Sequence, residues 1–304
     1  MASKIYSKLF SFSRFAGMNK VEKDFRVPAT RDRNYNVVSD METIENLDID
    51  NSMVLSTRPG ADLKLSGSNI HSLWSDEYFN CLFVDGNILC RLKIDYTSTS
   101  LASVGSGKMS YAKWNDKIYM TNGVTIGYLK NDIFSELTDP TMTYKKVLPA
   151  GKFIAYYRGR LYVAKGKVLY VSDALCDHYD IRTGFKVFSN NITMLAAVDK
   201  GLYISDGNAW FLGGTSPEEF TKIKVLDYDT VPYAFCIVNG SIIGEEGMQG
   251  QCLLWTSLDG ICLGNSDGAV KNLTRERYPL STYGIGCSSV RKINDTVHYI
   301  TVLE

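Results

Sequence analysis

Histidine is scarce in this chain: His71, His178 and His298 are the three in 304 residues. None stands at ligand spacing from another, so a histidine-built metal centre is not expected, and each reads as a strand or loop residue. Proline is sparse too, at seven residues, which argues against disorder beyond the N-terminus. No run of about eighteen apolar residues occurs, so no membrane span is expected. The opening Lys4-Ile-Tyr-Ser-Lys-Leu-Phe-Ser-Phe-Ser-Arg-Phe15 is too polar and too interrupted for the apolar region of a signal peptide. Net charge is missing as well. The 33 basic and 33 acidic side chains cancel, and the average surface gives no argument for nucleic acid or membrane. Seven cysteines, an odd number, contain no CxxC pair, which points away from zinc and from a disulfide framework. Most lie among apolar strand residues, as in Tyr233-Ala-Phe-Cys-Ile-Val238, where cysteine behaves as a small buried hydrophobe. Such usage suits assembly in a reducing cytoplasm.

What the chain has in quantity is one repeated phrase of strand, polar turn, strand, turn and strand. Its most legible copy is Phe153 to Val171, FIAYYRGRLYVAKGKVLYV. Apolar residues alternate there with period two, and Arg158-Gly159 and Lys165-Gly166 break the run where a hairpin must reverse. Met194 to Leu212 and Met109 to Leu129 repeat the pattern. First turns near Glu77, Asp116, Gly159, Gly201, Gly240 and Asp295 give spacings of 39, 43, 42, 39 and 55 residues. Hairpins at that period cannot bury their apolar faces alone, so they stack around an axis as propeller blades. The expectation is an all-β fold, a β-propeller of about six blades, with five or seven as alternatives. The long last spacing reads as an insertion at Gly240 to Gln251. The sixth copy, Cys287 to Leu303, has two good strands, and residues 44–66 carry strand material to complete it and close the ring. The domain division is 1–43, an extended N-terminal arm, and 44–304, the propeller.

Enzymatic readings find little to hold. There is no GxSxG elbow, and Gly105-Ser-Gly107 lacks the lysine-serine ending of a phosphate loop. No enzyme, catalytic residue, cofactor or metal is expected. The rival is a carbohydrate-active propeller, a glycoside hydrolase or host-glycan binder, because paired carboxylates can sit in a propeller's central well. Its candidate acids are Asp173, Asp177, Asp180, Asp199 and Glu245. Trp255-Thr-Ser-Leu-Asp259-Gly260 is faintly similar to the sialidase turn motif, but the spacing differs and it occurs once. Most aspartates here fall at hairpin turns, where they serve backbone geometry.

Residues 1–40 lack the repeat and carry eight basic against four acidic side chains. Phe15-Ala-Gly17-Met18-Asn19, Phe25-Arg-Val-Pro28, Ile44-Glu-Asn46-Leu-Asp48-Ile-Asp50 and Ser56-Thr-Arg58-Pro59-Gly60 follow in order. This order resembles the opening of a broad group of tailed-bacteriophage virion proteins. The likeness continues at His71-Ser-Leu-Trp-Ser-Asp76, Leu82-Phe-Val-Asp-Gly86, Ala155 to Val163 and Ile192 to Asp199. Ser56-Thr57 stand where members often carry arginines, a departure that bears on DNA grasping by that segment.

The resemblance implies a structural subunit of a virion, at the tail nozzle or head-to-tail junction, made in the host bacterial cytoplasm. It would form a homo-oligomeric ring around the DNA channel and meet portal or adaptor and tail subunits. Phe10, Phe12, Phe15, Met18, Phe25 and Val27 would be the arm's assembly contacts. DNA contact would be non-specific. Lys145-Lys146, Lys222-Ile-Lys224, Arg275-Glu-Arg277 and Arg291-Lys292 are small, separate groups, so a neutral or acidic channel wall is expected.

Overall fold

Five of the six repeats legible in the sequence are four-stranded antiparallel sheets. The computed structural model describes residues 60, 62–76, 80–243, 247–274, 284–293 and 296–304, together with the strands Phe15–Met18, Ala29–Arg31, Val37–Met41, Leu47–Ile49 and Leu55–Thr57. Strands within a blade are lettered a to d in chain order. Blade 1 is Ile70–Ser75, Cys81–Asp85, Ile88–Leu92 and Ser98–Ser103; blade 2 is Ser110–Trp114, Lys117–Thr121, Ile126–Lys130 and Ile133–Glu136. Blade 3 is Phe153–Tyr157, Arg160–Lys165, Val168–Val171 and Phe185–Val187. Blade 4 is Met194–Val198, Gly201–Ser205, Ala209–Gly213 and Thr221–Leu226; blade 5 is Thr230–Asn239, Gln251–Ser257, Gly260–Gly264 and Val270–Asn272. The sixth copy is a two-stranded sheet, Gly286–Ile293 paired with Thr296–Leu303. It packs beside strand a of blade 5, where the Tyr299 hydroxyl reaches Ala234 O at 3.1 Å. Five full blades and this hairpin answer to the six repeats.

Leu47–Ile49 pairs with Leu55–Thr57 in a hairpin of its own. The contacts by which residues 44–61 would meet the sixth sheet lie outside the described residues. Within the segment expected to be a plain extended arm there is sheet pairing: Phe15–Met18 runs parallel, and Ala29–Arg31 antiparallel, to Val37–Met41. The latter two strands are separated by five residues that include Asn34 and Asn36, a length and composition that hairpins use.

Period-two alternation explains the core. In blade 3, Ile154, Leu161 and Val163 pack against Ala112, Trp114 and Tyr119 of blade 2. The alternate residues Phe153, Ala155 and Tyr162 pack against Leu195, Leu202 and Ile204 of blade 4. Both faces of the inner strands are therefore buried, which is why those strands read as nearly continuous apolar runs. Strand d of blade 4, by contrast, is largely exposed and carries Lys222 and Lys224, as suits an outer edge. The a strands surround the axis, and aromatic rings fill it. Tyr233 of blade 5 lies 4.8 Å from the Phe153 ring of blade 3, and its hydroxyl extends toward Lys108 O, at 3.5 Å, on the link between blades 1 and 2. Antiparallel order puts a–b and c–d turns on one face, here the a–b face, and b–c turns and d–a links on the other, the d–a face.

Candidate functional site

On the a–b face, the Asn115-Asp116 turn of blade 2 meets the long c–d connection of blade 3. That connection contributes a short strand, His178–Asp180, which pairs antiparallel with Lys145–Val147. Between the two lies a cleft of about 340 Å³ lined by Trp114, Asp116, Tyr119, Cys176, Asp177 and His178 among others. The Trp114 ring is stacked between Tyr119 at 5.7 Å and Tyr156 at 5.5 Å, so its edge rather than its face fronts the cleft. Burial, and then the Asp177 carboxylate it hydrogen-bonds, push the Tyr119 phenol well above its usual range. Asp116 pairs with Lys130 at 2.6 Å, and the Lys117 ammonium sits 4.0 Å over the Tyr128 ring.

Behind the cleft, Lys145 Nζ lies 2.6 Å from Asp173 and 3.2 Å from Asp180. Arg182 reaches Asp180 at 2.7 Å, and His178 Nε2 is 3.6 Å from Asp173. The Arg182 side chain and backbone N–H, with Lys145, hold the Asp180 carboxyl far below the usual carboxylate range. Both carboxylates are thus engaged with the same lysine. Asp199 stands elsewhere: it accepts from Gln251 N–H at 2.8 Å and Ser266 Oγ at 3.2 Å, fastening blade 4 to blade 5. Of the five candidate acids, Asp173, Asp177 and Asp180 thus share one connection, Asp199 does not, and Glu245 lies outside the described residues.

The arm candidates Phe10, Phe12, Phe25 and Val27 also lie outside the described residues. Phe15 and Met18 are the ends of a described strand, but their side-chain surroundings are not part of it. His71 contacts Ser72 Oγ at 2.7 Å, and His298 Nδ1 accepts from Arg291 Nε at 3.2 Å. Cys90, Cys252 and Cys262 are buried, Cys81, Cys176 and Cys236 half-buried, Cys287 exposed, and all seven are free thiols. Burial pushes the Cys236 thiol up to about 12 and the Cys262 thiol up to about 11. Lys222 lies 3.8 Å over the Trp210 ring and Lys224 pairs with Asp227 at 2.5 Å, while Arg275 and Arg277 lie outside the described residues.

Sequence reading missed that turn aspartates also fasten blades to one another. Lys113 of blade 2 pairs with Asp76 of blade 1 at 2.5 Å, and Asp76 accepts from Asn80. Asn80 accepts from Arg91, which pairs in turn with Asp132 of blade 2. Asp229, before blade 5, accepts from Thr193 Oγ1 at 2.5 Å and Ser205 Oγ at 2.7 Å in blade 4. The signal available was an aspartate just outside a strand end, which does not reveal its partner in another blade.

No family model and no curated protein sequence matches the chain. Solved structures do show similarity. The extracellular domain of a hybrid two-component system from B. thetaiotaomicron is 12% identical over 79% of this chain, which spans only 31% of that one, with a TM-score of 0.49. A gluconolactonase from Xanthomonas campestris is 11% identical over 78% of this chain and 87% of its own, with a TM-score of 0.49. BBS1N, solved in complex with ARL6DN, is 11% identical over 85% of this chain and 86% of its own, with a TM-score of 0.50. Likeness at such identity concerns architecture alone. With its four-stranded meanders set side by side around an aromatic-filled axis, the chain is a β-propeller.

Proposed function

We propose that the chain is a structural subunit of a tailed-phage virion, forming a ring at the tail nozzle or head-to-tail junction with portal or adaptor and tail proteins. The observation that carries this reading is how the acidic side chains are used. Asp76, Asp199 and Asp229 bind donors in neighbouring blades, and Asp180 and Asp173 clamp a lysine. These carboxylates hold blades and loops together, which supports the rigidity that a ring subunit under strain needs. The sequence resemblance supplies the virion context. Aromatic rings fill the axis of each propeller, so in this reading the DNA channel lies among the copies of the ring, not through a single chain. Quantitative mass spectrometry of purified particles is expected to find the chain in many copies per virion; its complete absence sinks the reading.

A second reading, host-glycan binding or glycoside cleavage, is favoured by the cleft between blades 2 and 3, whose Asn115, Asp177 and His178 offer hydrogen-bonding groups to a sugar. Surface polysaccharide binding by the isolated protein, lost in Asp177→Asn, would favour it over the first.

A further inference from the structure

On the a–b face four cations are matched: Lys113 with Asp76, Arg91 with Asp132, Lys130 with Asp116 and Lys200 with Asp267. The d–a face of blade 3 is different. Lys152, Lys165 and Lys167 are all exposed there, and among the described residues none of them has an ion-pair partner. The Lys152 N–H donates to Ala164 O at 2.8 Å, which holds Lys152 beside the end of strand b, where Lys165 follows Ala164. Lys167 follows across the b–c turn, beside Gly166 at φ 58°. Like charges gathered at one turn repel one another. Nothing in the packing of the blade requires them, so the arrangement asks for an anion.

Hydrogen-bond donors stand next to the charges. The link from blade 3 to blade 4 is held against this turn by Phe188 N–H to Lys167 O and Ile192 N–H to Gly166 O, both at 2.8 Å. It presents Ser189, Asn190 and Asn191 at the surface. Asp206, which accepts from the Ser189 N–H, is 2% exposed and bound to Trp210 Nε1, so its carboxylate is withdrawn from the lysines. Ammonium groups flanked by amides and a hydroxyl form the donor set that grips backbone phosphates. Apart from Val187, the patch lacks the aliphatic and aromatic side chains that a bilayer interface favours.

We propose that Lys152, Lys165 and Lys167, with Asn190 and Asn191, form a sequence-independent contact surface for the phosphate backbone of double-stranded DNA. That the DNA is a genome passing through a ring rests on the virion reading above; the binding itself does not. In this proposal the DNA-facing surface differs from the neutral or acidic wall expected of the linear lysine groups, because the a–b hairpin gathers lysines that are separated in the sequence. One copy binds weakly, and a ring multiplies the contact.

Fluorescence anisotropy of a short labelled duplex against the full chain tests it. Three neutralised phosphates predict a log–log salt slope of about −2.7, hence roughly 40-fold weaker binding at ~200 mM than at ~50 mM salt. Replacing all three lysines by glutamine is expected to abolish binding without lowering the melting temperature. Lys165→Glu, which places a carboxylate among the remaining lysines, is expected to weaken DNA binding without lowering the melting temperature. No binding at ~50 mM salt, or binding that the triple variant retains, overturns the proposal. So does capture by phosphatidylserine vesicles that depends on these lysines in the absence of DNA binding. A chain that binds DNA but is absent from virions sinks the virion reading alone; a virion chain indifferent to DNA sinks this one alone.

Discussion

Asp180 shows how one side chain can stiffen a loop and expose the fold to acid. Its carboxyl is lowered by Arg182 first and Lys145 after, so the ionised form is the one the folded state favours. A depressed folded value means that the stabilisation is complete above the unfolded carboxylate range, near about 3.9, and is lost as pH falls below it. Asp180→Asn is expected to flatten the stability-versus-pH curve below roughly pH 4, as followed by thermal melts; an unchanged acid limb would mean that other carboxylates dominate. The cysteines make a second test at this scale. With thiols raised by burial at Cys236 and Cys262, and Cys287 exposed, iodoacetamide on the native protein should label Cys287 first and leave those two unmodified by mass spectrometry. Labelling of Cys262 in the folded state would contradict the packing of blade 5. These residues were legible as types, since cysteine amid apolar strand residues reads as core. The Asp180–Lys145 pair was not, because 35 residues separate the partners and no local pattern joins them.

Among the elements, inner and outer strands should respond very differently to truncation. Leu161 is fully buried between blades 2 and 3, whereas Ile223 on the outer strand of blade 4 is 49% exposed. Leu161→Ala is expected to cost about 2–5 kcal/mol in denaturant titration, through lost burial and the cavity left. Ile223→Ala should stay within about 0.5 kcal/mol. Similar costs at the two sites would refute the assignment of inner and outer strands. Turns offer a gain instead. Arg158 holds φ 44° ahead of Gly159 at φ 77°, a hairpin geometry that asparagine-glycine fills with less strain. Arg158→Asn should raise stability by roughly 0.5–1 kcal/mol in denaturant titration; a loss would mean that the Arg158 bond to the Tyr157 hydroxyl at 3.2 Å outweighs the backbone relief. Such turns were readable because glycine and Asx residues mark positive φ. The pairing of Lys145–Val147 with His178–Asp180 was not, since three-residue strands leave no period to read.

At the scale of the whole molecule, a propeller gains its cooperativity from closure of the ring. The sixth sheet has two strands, Gly286–Ile293 and Thr296–Leu303, and the Leu47–Thr57 hairpin precedes blade 1 in the chain. Two C-terminal strands plus two N-terminal ones would make a sixth meander whose last strand leads into strand a of blade 1, the order a closed propeller needs. Removing residues 1–57 is accordingly expected to broaden the calorimetric unfolding transition and lower its midpoint; a transition as sharp and as high as that of the full chain would show closure without this segment.

The primary sequence by itself determined the all-β class, the forty-residue blade period, the turn positions and the buried faces, because period-two alternation and glycine turns act between near neighbours. It also carried the virion likeness. Only the tertiary structure decided which side chains meet across blades. It drew Asp173 and Asp180 onto one lysine, brought Tyr233 against Phe153, paired Asp76 with Lys113, and held Lys152 beside the end of the strand that carries Lys165. Such meetings depend on how whole blades are stacked and on ladder register, and those are set by the packing of the entire ring.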